Sequence, residues 1–141
     1  MTGFLIDTNV ISELVKPNPE GDVVRWIASV DEELLYLSVM TIGEIRRGIE
    51  RLPKASRRVR LEAWLTGELA VRFQGRILGV DESVADRWGR LMAHANERGK
   101  PLPVVDGLLA ATAINHNLTL VTRDITGVSA TGVAIFDPWQ I

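Results

Sequence analysis

Four acidic residues stand where predicted strands end or predicted helices begin. Asp7 directly follows the apolar segment "FLI", and Asp124 follows "LTLVT" with one arginine between them. Glu44 in "TIGEI" and Asp106 in "PVVDGLLAA" lie near predicted helix starts. In open parallel sheets, ligands bind outside the carboxyl ends of the strands, so all four side chains could meet at one edge of a sheet. Several carboxylate oxygens suit Mg²⁺ or Mn²⁺, and such a site hydrolyses phosphodiesters with a metal-activated water.

The same four residues also have a purely structural interpretation. Asp7 could cap the helix that follows it, Asp106 could be an N-cap, and Asp124 could be a turn residue. Thr41 and Glu44 fit the S/T-x-x-E capping box. Against this, four carboxylates gathered without a cation would repel one another and raise one another's pKa, and a divalent ion removes that cost. Taken together, the four acids favour a metal site, and a residue such as Asp7 can serve as both ligand and cap.

Short apolar segments alternate with helical ones along the chain. The predicted strands are Phe4–Ile6, Leu35–Ser38, Ile77–Val80, Thr119–Thr122 and Ala134–Phe136. Between them, apolar residues recur at the spacing of amphipathic helices, as in "TIGEIRRGIERL". Single strands separated by helices are typical of βαβ units, so we expect an α/β fold with a parallel sheet covered on both faces. No repeat or domain boundary is visible, so residues 1–141 are predicted to form a single domain.

Composition excludes several classes of site and of protein. The 141 residues are 46% hydrophobic and 24% charged, which is typical of a globular protein. The chain has no cysteine, so disulfides and thiolate zinc sites are excluded, and neither His94 nor His116 has metal-motif spacing. With a net charge of −2, any nucleic-acid contact needs a local basic patch or a cation. No secretory signal or long apolar segment is visible, so we expect no membrane span and a cytoplasmic location.

Four stretches of the sequence carry a resemblance to a known family. They are "LIDTNVISEL", "LSVMTIGEIRRGI", "DGLLAATAINHNLTLVTRD" and "ATGVAIFDPW", and they extend from one end of the chain to the other. In this order they resemble the PIN domain, and more narrowly the VapC/FitB-type ribonuclease toxins of type II toxin–antitoxin systems. The resemblance implies a PIN-like three-layer α/β/α fold with a central, mostly parallel sheet of about five strands.

The resemblance also implies roles for individual residues. Asp7, Glu44 and Asp106 match the family's three most regular acids, which would hold Mg²⁺ or Mn²⁺, and Asp124 matches a fourth position. Many relatives have a further Asp three residues later, where this chain has Gly127. Asp124 would then supply what relatives supply from either position, or act only through water. The polar residues expected to support the cluster are Thr8, Asn9 and Thr122.

The expected partners follow from the same resemblance. They are an RNA substrate, a VapB/FitA-like antitoxin in a groove near the active site, and a second copy of the chain in a homodimer, possibly within a larger toxin–antitoxin assembly. Arginines beside the acids suggest a local path for RNA phosphates, as opposed to a merely solvated basic face; they are Arg46, Arg47, Arg51 and Arg123. No aromatic stacking pattern accompanies them, so we expect contacts to the RNA backbone.

Two other functions compete with the metal-dependent endoribonuclease. In the first, the chain is a non-catalytic PIN-like binding module that acts through a complex with an antitoxin, and its carboxylates serve capping or protein recognition. Binding of Mn²⁺, with stabilisation that follows mass action, would separate this function from catalysis. In the second, the chain is a phosphatase with an acidic pocket. The second is disfavoured because "DTN" has no second aspartate two residues after Asp7.

Overall fold

The five predicted strands form one parallel sheet. The computed structural model describes residues 2–141. The strands are β1 (Phe4–Ile6), β2 (Leu35–Ser38), β3 (Ile77–Leu78), β4 (Thr119–Val121) and β5 (Ile135–Phe136). Their order is β3-β2-β1-β4-β5, with every neighbouring pair parallel, so the first strand of the chain lies at the centre. Three strands are one or two residues shorter than predicted, which is the usual uncertainty at the ends of elements.

Helices fill the connections between the strands. Those before β3 are α1 (Thr8–Leu14), α2 (Gly21–Ser29), α3 (Val39–Glu50), α4 (Ser56–Ala63) and α5 (Ala70–Arg72), with a π-helical stretch, Trp64–Leu69, between the last two. Those after β3 are α6 (Glu82–Glu97), α7 (Val104–Asn115) and α8 (Ile125–Val128). Short 3₁₀ helices span Glu32–Leu34 and Ser129–Thr131. Within residues 2–141, no helix combines the length and the apolar composition that crossing a bilayer requires.

Alternating residues of the central strands build two separate cores. Ile6 and Val121 belong to a core with apolar residues of α1, α2, α3 and the π-helical stretch. Their neighbours Leu5 and Leu120 belong to a second core with residues of α7 and α8. Successive side chains of a strand point to opposite faces, so a sheet buried on both faces needs consecutive apolar residues. The predicted three-layer α/β/α arrangement of the PIN type is therefore confirmed.

Small residues let helix α7 pack closely against helix α6. A Cβ atom on Gly107 would lie 2.9 Å from Met92 Sδ and 3.1 Å from Trp88 Cδ1, so a larger residue does not fit without displacement. The indole Nε1–H of Trp88 donates to the Val104 carbonyl at 3.2 Å, at the first residue of α7. This packing fixes the first turn of α7, which carries Asp106.

Two of the predicted helix starts are wrong. Helix α3 begins at Val39 with Ser38 as its N-cap, whose hydroxyl accepts from the Met40 N–H at 3.0 Å. Glu44 therefore lies in the second turn, and Thr41 and Glu44 do not form a capping box. The N-cap of α7 is Pro103, so Asp106 lies inside the first turn and is not the cap. Helix α3 begins earlier than expected because it follows β2 directly, and α7 begins at Val104, directly after Pro103.

Candidate functional site

Asp7 is the central acid of the site. It follows β1, its N–H donates to the Val121 carbonyl of β4 at 2.9 Å, and it is only 8% exposed. One carboxylate oxygen accepts from the Thr8 N–H at 2.6 Å, so Asp7 is also the N-cap of α1, as one interpretation predicted. Burial raises the pKa of Asp7, the hydrogen bonds lower it, and the negative charges of Glu44 and Asp124 raise it further. The net effect is a raised pKa of Asp7, so the folded protein disfavours the ionised form of this carboxyl group.

Thr122 and Asn9 hold the second oxygen of the Asp7 carboxylate. The buried hydroxyl of Thr122 donates to Asp7 Oδ2 at 2.7 Å and accepts from the Asp124 N–H at 3.0 Å. The Asn9 amide lies 3.3 Å from both Asp7 Oδ2 and the Thr122 hydroxyl, and its oxygen accepts from the Arg123 N–H at 3.4 Å. These contacts join the ends of β1 and β4. The supporting roles that we predicted for Thr122 and Asn9 therefore correspond to direct contacts with the acids.

Thr8 orients the carboxylate of Glu44. Its hydroxyl donates to Glu44 Oε1 at 2.6 Å, across the gap between the first turn of α1 and the second turn of α3. The Thr8 hydroxyl also lies 3.3 Å from the hydroxyl of the buried Thr41. Sequence reasoning missed this role of Thr41 because it assigned the residue to a capping box. A threonine three residues before Glu44, one of the predicted site acids, was the available signal.

Asp106 and Asp124 face each other across Gly127. A Cβ atom on Gly127 would lie 3.5 Å from Asp106 Oδ2 and 3.6 Å from Asp124 Oδ2. Partial burial raises the pKa of Asp106 to about 6, and the charges of Asp7, Asp124 and Glu44 add to the increase. All four predicted acids therefore lie near enough to influence one another at the carboxyl edge of the sheet.

The donor set of this edge suits a divalent ion. The four carboxylates form no salt bridge within residues 2–141, so their mutual repulsion has no described protein counterion. As the side chains stand, no group of three His, Cys, Asp or Glu residues in that part of the chain is close enough to ligate one ion. Glu44 is held towards Thr8 by the hydrogen bond that it accepts from the Thr8 hydroxyl. A cation that draws the carboxylates together would use oxygen ligands alone, as Mg²⁺ and Mn²⁺ prefer.

The predicted arginines lie on the surface in several environments. Arg46 is 3.9 Å from Glu62, while Arg47 and Arg51 are exposed. Arg123 lies over the Trp139 ring at 4.9 Å, beside the acid that follows it in sequence. The histidines, His94 and His116, are exposed.

A groove next to Glu44 has its own basic residues. It lies between α1, α3 and α4, and Lys16 and Arg57 line it together with apolar residues, among them Ile45 and Trp64. The sequence did not predict that Lys16 and Arg57 share a groove. They come from different segments of the chain, and only the packing of the helices brings them to one groove.

Comparison with known proteins identifies the family. The profile of the PIN domain matches residues 4–126, a range that contains all four acids. The chain belongs to the PIN-domain family. It is 41% identical to the toxin FitB of Neisseria gonorrhoeae over 97% of this chain and 99% of that protein. It is 39% identical to the VapC ribonuclease Y4jK of Sinorhizobium fredii, over 97% and 98%.

Solved structures extend the likeness of this PIN domain to three dimensions. The structure of FitAB bound to an IR36 DNA fragment contains a chain that superposes with a TM-score of 0.93 and 38% identity. The match covers 98% of this chain and 96% of that one. The resemblance to the VapC/FitB type is therefore confirmed.

Proposed function

We propose that this PIN domain is a Mg²⁺- or Mn²⁺-dependent endoribonuclease, the toxin of a type II toxin–antitoxin module. Two kinds of support combine here. The relatives include a protein named as a VapC ribonuclease and one named as a toxin, each matched over nearly its whole length. The observation that carries the metal dependence is the meeting of four carboxylates at one edge of the sheet, with no salt bridge to any of them within residues 2–141. Burial and the three neighbouring carboxylates accordingly raise the pKa of Asp106 to about 6. A site that concentrates unneutralised negative charge in this way is suited to a cation.

Each acid has a definite task in this proposal. Asp7, Glu44 and Asp106 hold the ion, and Asp124 completes the set, directly or through water. When bound, the ion lowers the pKa of a water molecule and offsets the negative charge that develops on the phosphate. Thr122 donates a hydrogen bond to the Asp7 carboxylate, and Thr8 donates one to the Glu44 carboxylate. These contacts hold the two side chains in place before the ion binds. Without the ion, the same acids repel the RNA backbone.

The proposed partners are an antitoxin and a second copy of the chain. Solved complexes of relatives carry the names FitAB and FitAcB, and the chain compared in each has a TM-score of 0.93 to this protein. The groove lined by Lys16, Arg57 and Trp64 also contains Thr8 and Glu44, so a peptide bound there would reach the acids. In this proposal residues 1–141 act as one PIN domain, and the antitoxin blocks access to the site. The partly buried Arg46 and the exposed Arg47, Arg51 and Arg123 remain proposed contacts for RNA phosphates.

Removal of metal is expected to stop RNA cleavage completely and reversibly. Purified protein would be treated with EDTA, freed of chelator and assayed on structured RNA, with and without added Mn²⁺ or Mg²⁺. Activity should return only with the ion, because without a cation the four carboxylates repel the negatively charged phosphate of the RNA. Undiminished cleavage in EDTA would refute the metal-dependent mechanism. Metal binding without cleavage of any RNA would instead favour the non-catalytic module.

A further inference from the structure

A second cavity, separate from the groove lined by Lys16 and Arg57, opens beside the acidic cluster. It has a volume of about 260 Å³ and lies between the end of α6, the loop that follows it, and the segment around α8. Its apolar wall includes Leu91, Ala95 and Leu102, and its cations include Arg98 and Lys100. We call this cavity the basic crevice. Its volume is just below the roughly 300–1,000 Å³ of small-molecule pockets, so it suits a group of the size of one nucleobase with its sugar.

The end of helix α6 places the two cations. Gly99 has a positive φ of 68°, the left-handed conformation in which helices commonly end. The Lys100 N–H then donates to the Ala95 carbonyl at 3.0 Å, which turns the chain back across the helix end. The guanidinium of Arg98 donates to the Ala130 carbonyl at 3.2 Å, on the opposite wall. The crevice is thus formed by a defined helix terminus and a cross-wall hydrogen bond.

The charges of the crevice are free to bind an anion. Neither Arg98 nor Lys100 forms a salt bridge in the part of the chain that the structure describes, and both are exposed. Arg90 of α6 differs in this respect, since it pairs with Asp86 at 3.1 Å. Arg98 uses one hydrogen bond on Ala130, and a guanidinium has five N–H donors.

Gly127 connects the crevice to the acidic cluster. It lines the crevice, and the Cβ position on the same residue lies 3.5 Å from Asp106 and 3.6 Å from Asp124. A chain with one phosphate at the acids would therefore place an adjacent nucleotide at the crevice. The crevice offers an aliphatic surface for a base and cations for a phosphate, and cations along the backbone are a feature of single-stranded nucleic-acid binding.

We propose that the basic crevice holds one unpaired nucleotide of the RNA substrate, next to the phosphate that is cleaved. Its base lies against Leu91, Ala95 and Leu102, and its phosphate contacts Arg98 and Lys100. This inference rests on the proposed ribonuclease function and adds to it a positioning site for the substrate. A base held in a cavity of limited volume also gives the protein a means of selecting the nucleotide beside the cut.

Nucleotide titration followed by NMR tests the proposal without requiring catalysis. Protein in the presence of Mg²⁺, with the wild-type sequence or with Arg98→Gln/Lys100→Gln, would be titrated with each common ribonucleoside 5′-monophosphate. We expect saturable shifts of the Gly127 and Ala130 amides in the wild type, weakened about tenfold in affinity in the double variant. The matched control is Arg87→Gln/Arg90→Gln, which removes the same charge from α6 outside the crevice. Absent shifts, or equal weakening in both double variants, would overturn the proposal.

Cleavage kinetics separate failure of the crevice from failure of the ribonuclease function. On single-stranded RNA of mixed sequence, Arg98→Gln/Lys100→Gln should raise KM about tenfold, while kcat stays near the wild-type value. Because one phosphate contact is lost, the slope of log K against log salt concentration should become shallower by about 0.7. Ala130→Trp fills the crevice without changing charge and should also raise KM, with circular dichroism confirming the fold. Wild-type cleavage with unchanged KM in both variants refutes the crevice alone. No cleavage by the wild type, with intact nucleotide shifts, refutes the ribonuclease function alone.

Discussion

Asp106→Asn is expected to abolish RNA cleavage while leaving the metal-free protein at least as stable as the wild type. The substitution keeps the shape of the side chain and removes one negative charge from a cluster of four. A hard divalent ion requires that charge, so cleavage should fall by at least about 10²-fold. Asp86→Asn is the matched control, because Asp86 is an exposed acid on α6 whose partner is Arg90. Its activity should equal that of the wild type.

The pH dependence of stability provides a second, independent measure of the same variant. The pKa of Asp106 is raised to about 6 in the folded protein, so the folded state favours its protonated form. The associated stability is present at low pH and is lost as the pH rises through about 6. Thermal unfolding of metal-free wild type should therefore show a falling Tm over this range, and Asp106→Asn should show a smaller fall. Equal pH profiles, together with normal cleavage, would remove Asp106 from the site.

Glu44→Gln is expected to reduce cleavage by about 10²-fold or more without unfolding the protein. A glutamine at this position can still accept the hydrogen bond from the Thr8 hydroxyl, which Glu44 Oε1 now receives at 2.6 Å. It also keeps the length and helix propensity of the side chain in the second turn of α3. Only the charge is lost, and that charge raises the pKa of both Asp7 and Asp106. Metal-free stability should hold or increase because repulsion within the cluster is relieved.

A control variant on the same helix separates the effect of losing a charge within the acidic cluster from the effect of losing a charge elsewhere on α3. Glu50→Gln removes an exposed acid from the end of α3, where Glu50 contacts Arg58. We expect near-normal kcat and metal affinity for Glu50→Gln, and loss of both for Glu44→Gln. Near-normal turnover of Glu44→Gln at limiting Mg²⁺ would show that Glu44 serves only to contact Thr8.

The sequence was sufficient to predict the sheet and the edge at which the acids meet. Leu5 and Ile6 are both fully buried because the two faces of β1 are covered, and such consecutive apolar residues predict a central parallel strand. Because Asp7 directly follows this strand, it lies at the carboxyl end of the sheet, where ligands of parallel sheets bind. The capping pattern failed at Glu44 because local spacing cannot reveal which residue starts a helix. Ser38, three residues before Thr41, is the actual N-cap.

Features that depend on contacts between distant segments could not be predicted. The hydrogen bond from Thr8 to Glu44 joins residues 36 positions apart, and that from Thr122 to Asp7 joins residues 115 apart. The basic crevice is another case, because Arg98 and Ala130 meet only after α6 and the segment around α8 have packed. Local patterns report the type of an element and its buried face, whereas these pairs are set by the tertiary arrangement.

The central claim is that these four carboxylates form a cation site. Calorimetric titration of the metal-free protein with Mn²⁺ tests this claim most directly. Saturable binding is expected at about pH 7, with affinity falling by up to about tenfold per pH unit below about 6, because the ion must displace the proton held by Asp106. Binding should release protons, and it should be lost in Asp106→Asn and retained in Asp86→Asn. A lack of binding at neutral pH, or an equal affinity in the wild type and Asp106→Asn, would contradict the account.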